Sequence, residues 1–180
     1  KLAKANFYKK DFDWTLQQVK VLKQSPSLLI ANDAIEMFLL IQDNSAEDSL
    51  RVALQAYSTA DLKLYQNKKE EALQLFLAIL QKHKGESIEE GTLFKVGKIY
   101  EEKGDFNKAL TYYQNILDNH KDGIYKDEAL FFSAEIYRKH LLDNEKAKAL
   151  YEKVVLEHPD SLYYTESRKQ YRTLRGDSTI

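Results

Sequence analysis

One short pattern recurs three times in this chain and limits the folds that it can adopt. Ala72, Ala109 and Ala147 are each followed four residues later by an aromatic residue, and three residues after that by Ile or Val. Spacings of four and seven residues place these side chains on one face of an α-helix. The alanines recur at intervals of thirty-seven and thirty-eight positions, and a histidine stands eleven positions after each of them. The pattern therefore predicts a helical repeat.

A second small residue precedes each of these helices and predicts a partner helix. Ala60, Gly97 and Ala134 each lie in the middle of a helical stretch, twelve or thirteen positions before the alanine of the next helix. The third unit is longer by one residue, inserted around His140 to Asp143. Small residues that face each other allow two helix backbones to approach closely. The repeating unit is therefore predicted to be a helical hairpin.

The middle unit carries the residues of a known family. They are Leu93, Val96, Gly97 and Tyr100, then the break at Gly104-Asp105, then Ala109, Tyr113 and Ile116. This arrangement resembles the tetratricopeptide repeat, a helix-turn-helix unit of about 34 residues. The resemblance implies an all-α fold, a right-handed superhelix of such repeats. In the first unit Lys63 stands at the position of Tyr100, so that Tyr65 is an alternative counterpart, with a turn two residues shorter.

The predicted organisation is a single helical-repeat domain over residues 1–180, and we expect it to be part of a longer protein. Its segments are a partial repeat (1–27), an irregular helical segment (28–50), three repeats (51–84, 88–121 and 125–159) and a capping helix (161–175). The register breaks in the N-terminal third, because the interval of fifty-seven positions from Thr15 to Ala72 is neither one period nor two. There we expect one helix from Leu28 to Ile41 and another from about Ala46 to Gln66. Ser45 to Asp48 forms a capping-box-like start for the second. The chain as a whole is expected to form about ten helices.

Composition and charge exclude several other classes of protein. The net charge is −1, so the chain has no overall field that attracts nucleic acid or an anionic membrane. A basic group near the C-terminus, Arg168, Lys169, Arg172 and Arg175, is interpreted as a solvated helix face. The absence of cysteine excludes disulfides, thiol nucleophiles and Cys-ligated zinc. No apolar run approaches the ~20 residues of a membrane span, so we expect no nucleic-acid partner and no membrane insertion by this segment.

No group of residues in the sequence predicts catalysis, a cofactor or a metal site. His83, His120 and His158 occupy one repeat position near a helix end, so stacked repeats separate them by about 10 Å. Zinc needs its imidazole nitrogens at about 2.0–2.1 Å. Adjacent glutamates diverge around a helix and so do not converge as an acid–base pair. The chain also lacks a Gly-rich phosphate loop and an H-E-x-x-H motif. We expect that it is not an enzyme and has no cofactor.

Three aromatic residues, Tyr57, Phe94 and Phe131, each precede the small residue of a first helix by three positions. The resemblance implies that this position, with those four and seven residues further on, lines the concave groove of the superhelix. The groove candidates are therefore Tyr57, Asp61, Leu64, Phe94, Lys98, Glu101, Phe131, Glu135 and Arg138. A series of accessible aromatic pockets would bind an extended peptide or an amphipathic helix. The alternative is that the three aromatic residues pack against adjacent helices or a C-terminal segment.

The function predicted from these features is a protein–protein interaction scaffold that binds a peptide or protein segment in its groove. The family's carboxylate clamp for chaperone tails is absent apart from Lys98, so we do not expect that class of ligand. The alternative function is a structural spacer or self-association module within a larger protein, without a separate ligand. The long repeats with Tyr- and Ser-rich joints are similar to extracytoplasmic repeat proteins, such as outer-membrane assembly lipoproteins and Tol–Pal-associated coordinators. That likeness implies a periplasmic or envelope-associated location.

Overall fold

The computed structural model describes residues 1–47, 50–120 and 122–177, and every regular element among them is helical. In chain order these are α1 (Leu2–Tyr8), α2 (Phe12–Leu22), α3 (Leu28–Glu47), α4 (Val52–Tyr65), α5 (Lys69–Lys82), α6 (Ile88–Glu102), α7 (Phe106–Asn119), α8 (Lys126–Ile136), a π-helical turn (Tyr137–Leu141), α9 (Asn144–Glu157) and α10 (Tyr164–Arg175). The prediction of an all-α chain with about ten helices is confirmed. The helices form two compact units, residues 1–96 and 97–180, and the division lies inside α6.

Each repeat hairpin turns through one residue in the left-handed conformation. Asn67, Gly104 and Leu142 have φ of 61°, 77° and 54°, and each lies five residues before the alanine of the following helix. The next helix then begins with a cap in two of the three cases. The carboxylates of Asp105 and Asp143 accept the backbone N–H three residues further on, at 3.3 Å and 3.1 Å. The recurrence of this turn places the pattern alanine at the same distance from the turn in each of the three hairpins.

The turn of the first repeat decides which residue corresponds to Tyr100. The turns between α4 and α5 and between α6 and α7 have the same length, residues 66–68 and 103–105. With equal turns, the position of Tyr100 is taken by Lys63 in the first repeat. The alternative in which Tyr65 is the counterpart, with a shorter turn, is therefore wrong.

The third hairpin holds its additional residue in the π-helical turn, Tyr137–Leu141. A π-helical turn bonds five residues along instead of four and so takes in one more residue than an α-helical turn. The N–H of Asp143 accordingly donates to the C=O of Tyr137, six residues back, at 2.9 Å. In the second repeat the equivalent bond joins Asp105 to Tyr100, five residues back, at 2.9 Å. The turn absorbs the insertion, so α9 begins in the same register as the second helices before it.

The register break near the N-terminus is an inserted helix. The α1–α2 hairpin turns through Lys10, with φ of 64°, and buries Thr15 five residues later, as the repeat hairpins bury alanine. Helix α4 packs directly on α1, where the hydroxyl of Ser58 donates to the C=O of Phe7 at 2.7 Å. The interval from Thr15 to the alanine of α5 exceeds one repeat period by the length of α3, which is 20 residues. Helix α3 is thus inserted between two hairpins that otherwise follow the repeat.

The predicted boundary between the helices of this segment is wrong. Helix α3 is continuous past Ile41, and α4 begins at Val52 instead of about Ala46. Ser45 lies inside α3, where its hydroxyl donates to the C=O of Ile41 at 2.6 Å, so it caps no helix. Asp48, the other end of the predicted capping box, lies outside the described residues. A serine that bonds the carbonyl four residues back is compatible with a helix interior, and here that bond replaces the cap.

The residues of the repeating pattern form the interior of the hairpins. Each is at most 3% exposed: Ala72, Phe76 and Ile79; Ala109, Tyr113 and Ile116; Ala147, Tyr151 and Val154. Gly97 marks a close approach of the two helices, because a Cβ atom there would lie 2.5 Å from Cε1 of Tyr113. Helix α10 packs against α9, and Tyr163, Tyr171 and Leu174 cover the apolar residues of the last hairpin.

Candidate functional site

The groove candidates of the first repeat are largely covered by the chain itself. Tyr57 is 2% exposed, and its ring packs edge-on against Phe76 with centroids 5.3 Å apart. Asp61 is buried and accepts a hydrogen bond from the hydroxyl of Tyr8, in α1, at 2.9 Å. Leu64 is half-buried. The expectation of an accessible pocket at Tyr57 is therefore wrong, because this ring belongs to the hairpin core.

The polar atoms around Asp61 form a small network within the first unit. The Nζ atom of Lys95 lies 3.9 Å from Asp61 Oδ1. Lys95 follows Phe94 in the sequence, and the side chain of Phe94, the aromatic candidate of the second repeat, is half-buried. Burial, followed by the charge of Asp61, raises the pKa of Tyr8 and of Tyr57 above the ordinary value of 10. Both hydroxyls therefore stay protonated at neutral pH. The hydrogen bond from Tyr8 to Asp61 connects α1 to α4, and the burial of Asp61 makes its carboxylate poorly accessible to a ligand.

The candidates of the second repeat, Lys98 and Glu101, pair with each other. Lys98 Nζ lies 2.9 Å from Glu101 Oε2, and both side chains are half-buried. The hydroxyl of Tyr113 donates to the same carboxylate oxygen at 2.8 Å. Burial, and then the charge of Glu101, raises the pKa of Tyr113, so this hydroxyl remains a donor. Lys98 also lies over the ring of Phe132, 3.6 Å from its centroid.

The candidates of the third repeat, Glu135 and Arg138, also pair with each other, but here the anion precedes the cation in the sequence. Arg138 Nη2 lies 3.1 Å from Glu135 Oε1, and the hydroxyl of Tyr151 and Nζ of Lys139 bind the same carboxylate. Burial acts to raise the pKa of Glu135, but these hydrogen bonds, of which that from Lys139 is the strongest, outweigh it and lower the pKa. Glu135 therefore stays ionised at neutral pH and holds two cations in place.

A pocket of about 440 Å³ lies between the first helices of the second unit, and we call it the first-helix pocket. Its lining consists of Glu101, Phe131, Phe132, Glu135, Ile136, Arg138, Lys139, His140 and Glu166. Four of the nine predicted candidates, Glu101, Phe131, Glu135 and Arg138, line this one pocket. Its volume falls in the range of ligand-binding pockets. It combines an aromatic wall with ionised side chains that already hydrogen-bond each other.

Phe131 contributes to this pocket but is not the accessible anchor that was expected. It is 9% exposed and stacks on the ring of Tyr163, with centroids 4.4 Å apart and planes inclined by 22°. Tyr163 directly precedes α10, so the C-terminal segment covers the aromatic position of the last repeat. The expected accessibility of Phe131 is therefore wrong, and the alternative of packing against a C-terminal segment holds at this position.

Sequence reasoning missed several residues of the pocket, for different reasons. Lys139 follows Glu135 by four residues, a spacing at which opposite charges meet on a helix, so that its pairing could have been found. His140 had no such signal, because it lies in the π-helical turn, where its ring stacks on Phe106 with centroids 3.9 Å apart. Glu166 reaches the pocket from α10, which lies outside the repeats and so has no place in their pattern.

Neither a cluster of potential metal ligands nor a membrane-spanning helix occurs among the residues that the structure describes. Over residues 1–47, 50–120 and 122–177, no group of three or more His, Cys, Asp or Glu side chains could hold a metal ion. The histidines His83, His120 and His158 are the C-cap residues of α5, α7 and α9, one per repeat, as their position in the pattern predicted. None of the described helices combines the length and the apolar character needed to cross a membrane.

Comparison with known families assigns the hairpins of the second half of the chain. Residues 92–123 and 128–161 each match the family described as the tetratricopeptide repeat. These two segments make up less than half of the chain. The whole chain is similar to the crystal structure of a tetratricopeptide repeat protein from Parabacteroides merdae, with a TM-score of 0.58 and 18% identity. The match covers 98% of this chain and 62% of that protein, so the chain spans less than two thirds of its length.

This likeness shows the fold of the chain, a helical-repeat fold of tetratricopeptide type. A comparison with curated protein sequences gives no match. Proteins with these repeats generally mediate protein–protein interaction and are non-catalytic scaffolds. The pockets of the second unit are the candidate places for an interaction of this kind.

Proposed function

We propose that this chain is an interaction scaffold that binds a peptide segment of a partner protein in the first-helix pocket. The observation that carries the proposal is the pocket itself, in which predicted candidates from two repeats and the aromatic ring of Phe132 surround one cavity of about 440 Å³. The ligand is held by two kinds of contact. An apolar side chain packs on the half-buried ring of Phe132, and an acceptor group bonds to the cation at the rim.

Arg138 is the group that binds this acceptor. Its guanidinium carries five N–H donors, and its Nε and Nη2 atoms bond to Glu135 and to the hydroxyl of Tyr151. Its Nη1 atom makes no hydrogen bond to any described residue, and the side chain is 27% exposed. Since Glu135 is also held by Tyr151 and Lys139, the guanidinium stays oriented while its outer edge faces a ligand carbonyl or carboxylate.

Peptide selection on the chain, followed by binding measurements on variants, tests this proposal. Dodecamer peptides are selected from a random phage library, and their affinity is measured by fluorescence polarisation for the unchanged chain and for Arg138→Gln. Loss of an interface anchor costs ~2 kcal/mol, which is roughly a 30-fold weaker Kd. Lys169→Gln, on the exposed face of α10 and outside the pocket, serves as the matched control and leaves the Kd unchanged. If no peptide is selected, or if both variants bind alike, the proposal is wrong.

Self-association is the second candidate function, and a separate observation in the first unit favours it. Several large apolar side chains of α2 and α3 face solvent, among them Val21, Leu28 and Leu29, which are 70% exposed or more. Where exposed apolar groups adjoin each other in one patch, they mark an interaction surface. Sedimentation velocity over the micromolar range, with Leu29→Lys as the disrupting variant, tests this candidate. A chain that stays monomeric throughout would exclude it.

A further inference from the structure

A second and larger cleft lies on the other side of the repeat hairpins, between the second helices. Its volume is about 840 Å³, its walls are α7 and α9, and Ser133 and Tyr137 of the helix beneath form part of its floor. We call it the second-helix cleft. It shares no lining residue with the first-helix pocket. The side chains around it differ from those of that pocket both in charge and in hydrogen-bonding groups.

Five of the eight lining residues that α7 contributes to the cleft have uncharged polar side chains. Asn107, Thr111, Gln114, Asn115 and Asn119 are all exposed along it. The amides bond along the helix surface, as where Asn119 Nδ2 donates to Asn115 Oδ1 at 3.0 Å. A side-chain amide has the same donor and acceptor groups as a peptide bond. A row of amides on an exposed helix therefore offers hydrogen bonds that match the backbone of an extended chain.

The α9 wall carries the charge of the cleft. Lys146 pairs with Asp143 at 3.1 Å, whereas Lys153 forms an ion pair with no described residue. The carboxylate in the lining, Asp118, accepts a hydrogen bond from Gln114 at 2.8 Å. Asp143 offsets the charge of Lys146, which leaves Lys153 as a cation without an ion pair to a described residue. An unpaired cation in the cleft favours an anionic group of the ligand opposite it.

The dimensions of the cleft suit an extended peptide. The α7 wall rises through twelve positions from Asn107 to Asn119, which at ~1.5 Å per residue is about 18 Å. An extended chain covers that length with about six residues at ~3.3 Å each. Leu110 and Leu117 stand two helical turns apart in the lining, and Leu150 faces them from α9. These half-buried leucines provide apolar contacts for alternate side chains of such a peptide.

We infer that the second-helix cleft is a separate peptide-binding site, which takes an extended segment of about six residues with an acidic side chain against Lys153. The amides of α7 bond to the peptide backbone, and the leucines receive its apolar side chains. This site does not depend on the first-helix pocket, so one repeat pair binds two segments, either of one partner or of two different partners.

The test begins with the Arg138→Gln chain, in which the first-helix pocket is impaired. Ten-residue peptides are selected on it from a random phage library, and fluorescein-labelled copies of those that bind are titrated with variants of the full chain. We expect enrichment of Asp or Glu, and an affinity about tenfold weaker for Lys153→Glu, because attraction becomes repulsion. Lys169→Glu, the same change on α10, is the control and leaves the affinity unchanged.

A charge-swap measurement makes the outcome specific to this contact. When the acidic residue of the peptide is replaced by lysine, binding to the unchanged chain weakens, and binding to Lys153→Glu is restored. Recovery in this combination supports the proposal. Selection of no peptide, selection without acidic enrichment, or equal loss in Lys153→Glu and Lys169→Glu would each overturn it. None of these results depends on peptide binding at Arg138, so the two sites can fail separately.

Discussion

Replacing Gly97 with alanine tests how closely the two helices of the second repeat approach each other. A Cβ atom at this position would lie 2.5 Å from Cε1 and 2.9 Å from Cδ1 of Tyr113. Real Cβ contacts are essentially never that short, so the ring or the helix must shift. The ring cannot withdraw easily, because Tyr113 is fully buried and its hydroxyl donates to Glu101 at 2.8 Å. The added methyl group is therefore expected to strain the hairpin.

Two effects of opposite sign decide the net change. Adding carbon to a filled interior costs ~1–3 kcal/mol, whereas alanine in a helix interior is better than glycine by ~1 kcal/mol. Gly97→Ala should thus lower the free energy of unfolding by roughly 0–2 kcal/mol. Gly97→Leu should lower it further, because three more carbon atoms meet the same ring. In a chain of this size each kcal/mol corresponds to a shift in Tm of about 2–4 °C.

Thermal melting followed by far-UV circular dichroism measures both variants. Ala149→Gly, at an exposed position in α9, is the matched control, since it changes helix propensity with no buried contact and should cost ~1 kcal/mol. Subtracting this propensity effect isolates the strain at Gly97. If Gly97→Ala raises the stability by the full ~1 kcal/mol, the close approach to Tyr113 does not exist and the repeat register derived from it is wrong.

Further predictions concern the left-handed turns, Phe131, the C-terminal segment and Tyr113. Leucine in the left-handed conformation is strained, so Leu142→Gly should raise the free energy of unfolding, measured by urea denaturation, by about 1 kcal/mol. Gly104→Leu should lower it by a similar amount. An unchanged free energy of unfolding at either turn would contradict the φ values. Phe131→Ala should cost ~3–5 kcal/mol because the ring is buried, whereas a cost within ~0.5 kcal/mol would identify it as surface. Deleting residues 161–180 removes the cover of that ring and should lower the Tm or cause aggregation, which light scattering detects; an unchanged monomer would show that the cover is dispensable. Burial raises the pKa of Tyr113, so the folded state keeps a proton that the unfolded state releases, and stability should fall as the pH rises above about 10. That fall should be shallower in Tyr113→Phe, as measured by denaturant titration at several alkaline pH values.

The repeat was predictable from the sequence because its residues are dictated by local geometry. Ala109 and Tyr113 lie on one helix face, and Gly97 marks the contact with the preceding helix, so that a fixed spacing follows from packing alone. Helix α3 was not predictable in the same way. Ser45 three residues before an acidic residue has the pattern of a helix start, yet the same serine bonds the carbonyl of Ile41 inside a continuous helix. The same capping pattern is therefore compatible with a helix start and with a helix interior, and only tertiary contacts decide which of the two forms.

The candidate site shows the same division between local and non-local determinants. The positions of Glu135 and Arg138 at the pocket followed from the register, and their pairing follows from a spacing of three residues. The burial of Phe131 under Tyr163 did not, since these rings are far apart in the sequence and no periodic pattern links them. Sequence reasoning therefore identified four residues of the pocket lining, missed the others, and mistook a covered ring for an exposed one.

The two repeats of the second unit share a hydrogen bond from tyrosine to carboxylate, although the order of their charged residues differs. The cation precedes the anion in Lys98 and Glu101, whereas the order is reversed in Glu135 and Arg138. In both repeats, however, a tyrosine hydroxyl of the second helix donates to the carboxylate, wherever that carboxylate stands. The buried hydroxyl fixes the anion, and the anion orients the cation. Because the cation is the outermost member of this series, it can exchange part of its bonding to a ligand without loosening the hairpin. Under the proposed function, the cation at the pocket, Arg138, is then the group that selects among ligands, and the hydrogen bond between tyrosine and carboxylate keeps that cation in position.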